Sequence, residues 1–86
     1  MDAFTQGLRV DATLDVRGQD PSSSYVKART QLDGMSEGQV LELHLDEGEV
    51  LRRLPFGLRA EGHEILVSEP ATEGIRLLVR KRAPAS

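Results

Sequence analysis

Three stretches of this 86-residue chain hold side chains able to do chemistry. The first reads LDVRGQDPSSSYVKAR, from Leu14 to Arg29. Three hydroxyls, Ser22, Ser23 and Ser24, follow Asp20-Pro21, with Arg17 and Gly18 ahead and Lys27 and Arg29 behind. A serine becomes a nucleophile only when an adjacent base takes its proton. The bases available are His44 and His63, both distant in sequence, so only the fold can bring one near. The alternative is structural and is favoured: serines in the first turn of a helix satisfy backbone N–H groups. The same helix start could hold a small anion, with Asp20 opposing it electrostatically. Arg17 has two open readings, contact with an anion or partner, or an ion pair with Asp15 or Asp20. Gly18 is placed where a positive φ is expected.

The second stretch, His44-Leu-Asp46-Glu47 with Glu49, has metal-type ligands, but its spacing matches no closed site. Its acidic residues suit a helix start, where the dipole favours negative charge. In the third, His63-Glu64 follows Gly62, a natural helix cap leading into a strand. A basic cluster, Arg76, Arg80, Lys81 and Arg82, closes the chain; it reads as a charged edge strand that blocks unwanted pairing. A nucleic-acid face needs more: the net charge is −3 and there are only one Tyr and two Phe for stacking.

Elements must position these groups. Val10 to Val16 alternates as a half-buried strand. Asp20 as N-cap and Pro21 at the first helical position open a helix with Tyr25, Ala28, Leu32 and Met35 on its stripe, stopped by Gly34. Val40 to Leu45 is a second strand. Leu51, Leu54 and Leu58 mark a second helix, expected to break or restart near Pro55. Glu64 to Glu69 and Ile75 to Arg82 are strands joined by a turn over residues 70–74.

The order βαβαββ predicts an α+β two-layer α/β sandwich: a four-stranded mixed sheet with two helices on one face. The first two strands should run parallel with a right-handed crossover. One domain is expected over residues 1–86, its core at about 10–82. The open sheet face should be polar with a greasy patch of Val40, Leu66 and Leu78. Cysteine is absent, which excludes disulfides, thiolate metal sites and persulfides in this chain. No apolar run approaches a membrane span and no secretory signal is seen, so a cytoplasmic protein without membrane contact is expected. No cofactor and no metal are expected.

Taken in order, LDVRG, YVKARTQLDGM, EGQVLEL, LP, GHEILV and IRLLVRK give the chain a likeness covering residues 14–82. It resembles the TusA/SirA family of small sulfur carriers. The resemblance implies a four-stranded mixed sheet under two helices. It also implies a cysteine just before the first helix, in a Cys-Pro-x-Pro pattern, that carries a persulfide to a partner. Aligned without gaps, that cysteine falls on Pro21 and the two prolines on Ser22 and Ser24; shifted by one residue, it falls on Asp20. Neither holds a sulfane sulfur.

The expected function is a non-catalytic interaction or regulatory module related to sulfur trafficking. Its protein partner would be a sulfur-relay enzyme, met by Arg17, Gly18, Asp20, Pro21, Ser22, Ser23, Ser24, Lys27 and Arg29. The alternatives are a structural subunit using the open sheet face, a serine-based enzyme and, last, a nucleic-acid binder.

Overall fold

The computed structural model describes residues 9–82. Strand β1 (Ala12–Asp15) leads into α1 (Pro21–Asp33), β2 (Val40–Leu45), α2 (Glu49–Ala60), β3 (Glu64–Pro70) and β4 (Ile75–Arg80). The sheet order is β1-β2-β4-β3. β1 and β2 are parallel, and β4 is antiparallel to both β2 and β3. Every element expected from periodicity forms, and the architecture is the expected sandwich. β1 and β4 are shorter than their alternating stretches, although Asp11 and Val16 extend the first ladder through bonds to Val40 and His44.

The core lies between the sheet and both helices. Leu41, Leu43, Leu45, Leu77 and Val79 are fully buried against Ala28 and Leu32 of α1 and Leu54 and Leu58 of α2. Burying such a side chain is worth about 1.5–3 kcal/mol, and these leucines do the work that aromatics do in richer sequences.

Three expectations are corrected. α2 does not break at Pro55; it runs unbroken from Glu49 to Ala60 with Pro55 inside. Val50, Leu54 and Leu58 are buried along it, and this anchored stripe holds the helix across the hydrogen bond that proline removes. The basic cluster does not lie on an edge strand, because β4 sits between β2 and β3. The greasy patch is also absent: Leu78 is 0% exposed and Val40 4%. On the open face Arg76 bridges Glu42 and Glu69, and Arg80 reaches Glu64. A register shift between Ile65 and Val67 sets Val67 opposite Leu78, displacing Leu66 from the place that strict alternation gives it.

Candidate functional site

The loop from Arg17 to Asp20 is fixed by local carboxylates. The Arg17 guanidinium grips Asp15 with two bonds, Nε to Oδ1 at 2.9 Å and Nη2 to Oδ2 at 2.8 Å. Its Nη1 reaches the Glu73 carboxylate at 3.4 Å. Of the two carboxylates expected to pair with Arg17, the structure shows Asp15, with Glu73 added, and not Asp20. Hydrogen bonds from the Arg17 side chain and backbone hold the Asp15 carboxyl far below the usual carboxylate range. Gly18 turns the chain with φ 80°, and its N–H donates to Asp46 Oδ2 at 2.7 Å. Asp46 thus ties this loop to the end of β2 instead of capping α2, whose N-cap is Gly48.

At the start of α1, Asp20 accepts from the Ser23 N–H at 2.8 Å and the Ser23 hydroxyl at 3.1 Å. The Ser23 N–H is the main reason its carboxyl is held low. Pro21 opens the helix. Ser24 is buried, its hydroxyl 3.5 Å from the Val16 carbonyl. Ser22 is exposed. The histidines are engaged elsewhere. His44 Nε2 lies 2.6 Å from Glu42. His63 is buried after α2, and its Nδ1 accepts the Arg82 N–H at 3.1 Å. The Ser23 and Ser24 hydroxyls therefore have cap and backbone partners, and none of the three serines has an imidazole partner among the described residues. No group of metal ligands forms among the described residues either.

Sequence reasoning missed what stands beside Pro21. A groove of about 250 Å³ is lined by Pro21, Ser22, Tyr25, Arg53, Leu54 and Gly57. Its floor is the contact between the helices. A Cβ on Gly57 would stand 2.6 Å from Tyr25 Cε1, so glycine is what allows α2 to approach the Tyr25 ring. The Tyr25 hydroxyl donates to Glu61, which pushes the phenol pKa up, and Arg29 pairs with the same carboxylate at 3.4 Å. The available signal was a glycine placed inside a helical stripe. Lys27 is exposed on α1, beside Val26.

A family model described as Sulfurtransferase TusA matches residues 12–81, from β1 past the end of β4. The chain belongs to the TusA family. Two relatives bear the name "Putative sulfur carrier protein". The Archaeoglobus fulgidus protein is 27% identical over 71 residues, covering 83% of this chain and 81% of the relative. The Thermotoga maritima protein is 34% identical over 61 residues, covering 71% and 77%. The two positions to which the resemblance assigned the sulfur-bearing cysteine, Asp20 and Pro21, are the N-cap and first residue of α1, where a helix dipole favours a thiolate. This chain keeps the helix start and has no thiol to place there.

Proposed function

We infer that this chain is a TusA-family docking module that meets a protein of sulfur trafficking without carrying sulfur itself. The observation that carries the reading is the family match across residues 12–81 in a chain with Pro21 at the helix start and no cysteine. A persulfide needs a thiolate sulfur, and a proline ring offers none. The rest of the frame, the rigid loop and the α1 start, is retained and supports recognition of a partner. The serine enzyme loses its support, because no imidazole faces Ser22, Ser23 or Ser24 among the described residues, and the Asp20 carboxylate that meets the Ser23 hydroxyl is occupied as the helix cap. Nucleic-acid binding through the C-terminal cluster loses support as well. Arg76, Arg80 and Arg82 are paired with glutamates, and Lys81 Nζ donates to the Leu32 carbonyl at 2.7 Å.

The test is direct. A persulfide-loaded sulfur-relay enzyme is titrated with the purified chain by calorimetry, and the recovered chain is assayed for sulfane sulfur. A complex with no sulfur uptake is expected. Lys27→Glu should weaken it several-fold, because Lys27 is exposed on α1. Arg17→Glu is a poor probe, since it would crowd three carboxylates and disturb the loop itself. Failure of a panel of sulfur-relay enzymes to bind overturns the reading.

A further inference from the structure

The helical layer carries a surface the loop does not account for. Two large hydrophobic side chains are exposed among the described residues, Val26 at 59% and Phe56 at 75%, and both are on helices. Each is next in sequence to a member of the interhelical contact, Val26 to Tyr25 and Phe56 to Gly57. Val26 falls midway between Ser24 and Ala28, and Phe56 midway between Leu54 and Leu58, so both face away from the sheet on the outer side of the helical layer. Charge divides the same way. α1 and α2 carry Lys27, Arg29, Arg52, Arg53 and Arg59 against Asp33 and Glu49, within a chain whose net charge is −3. The Arg52 and Arg53 side chains are 78% and 65% exposed, and Glu49 is 3.9 Å from each. That single exposed carboxylate leaves most of their charge available. The open sheet face is different: its arginines are spent on Glu42, Glu64 and Glu69.

We propose that the outer side of the helical layer, with Phe56 and Val26 as apolar anchors and Lys27, Arg52 and Arg53 as a cationic rim, docks an acidic protein surface bearing an apolar recess. This rests on the docking reading and specifies the partner's chemistry. Aromatic and arginine side chains are the types that dominate interface energetics, and a cationic rim steers an anionic partner. A nucleic acid fits less well, because one exposed aromatic ring provides a single stacking platform.

The experiment places a photo-crosslinking residue at Phe56 or, as a control, at Thr13 on the open sheet face. Cross-linking is done in the source cell, and the captured protein is then purified and titrated with the chain. Expected is a protein captured from position 56 and not from 13. Its affinity should fall at least tenfold with Phe56→Ser, and several-fold with Arg52→Glu/Arg53→Glu or with a rise from 50 to 300 mM salt. Capture from position 13 alone, capture of nucleic acid, no capture, or affinity insensitive to both variants and salt overturns the proposal. A sulfur-relay protein bound elsewhere would leave the docking function standing and remove this surface. A captured protein unrelated to sulfur would do the reverse.

Discussion

At the residue scale, Arg17 is the most committed side chain of the loop. Its two bonds to Asp15 stabilise the charged carboxylate, so the folded-state pKa lies below the unfolded one. A depressed carboxyl contributes stability above its unfolded pKa, near 4, and loses it as pH falls through the folded value. Both groups are solvent-exposed, so the gain is small. The titration is the sharper readout. In Arg17→Ala the Asp15 carboxyl should titrate at least one unit higher, followed by NMR of the side-chain carbon. An unchanged midpoint would show that Arg17 is not the cause. The cap at Asp20 and the pairing with Asp15 could be read from neighbouring residues. The link from Arg17 to Glu73 spans 56 positions, which no local pattern encodes.

At the scale of elements, α2 sets two costs against one contact. Pro55 and Gly57 both disfavour a helix interior, and sequence reasoning weighted them accordingly. Packing of Val50, Leu54 and Leu58 outweighed them, a tertiary contribution that local propensity does not contain. Gly57 tests this balance. Alanine there gains about 1 kcal/mol of helix propensity. Its Cβ, 2.6 Å from the Tyr25 ring, forces the ring or the helix to move, at about 1–3 kcal/mol for overpacking. Moving the ring also strains its bond to Glu61. Gly57→Ala should therefore lower stability by about 1 kcal/mol, or roughly 4–8 °C in Tm for a domain of this size. In a Tyr25→Ala background the same change should be neutral or stabilising, closing a double-mutant cycle with clear coupling. Additive effects would show that the helices do not depend on this glycine.

At the scale of the whole molecule, strand order is what the sequence left least legible. Four strands and two helices follow from periodicity, and the parallel pair from a crossover helix. The insertion of β4 between β2 and β3 turned a supposed edge into the centre and converted free arginines into ion pairs. The same placement brings the end of β4 onto His63, which follows α2 and lines up its Nδ1 with the Arg82 N–H. Burial, helped by the charge of Lys81, pushes the imidazole pKa below its ordinary 6.5. Above that pH the ring is neutral in folded and unfolded chains alike and adds no pH dependence. As pH falls from 6.5 the unfolded chain takes up the proton while the folded one resists. Stability must then fall until the folded-state pKa is passed. Urea unfolding at pH 7.5 and 5.5 should show this loss in the natural chain. It should be smaller in His63→Asn, whose side-chain carbonyl can still accept from Arg82 but does not titrate. Both proteins retain His44 and every carboxylate, so the difference between them isolates His63. Equal losses would mean that the ring is protonated as readily in the folded chain, and that its bond to Arg82 does not hold it neutral.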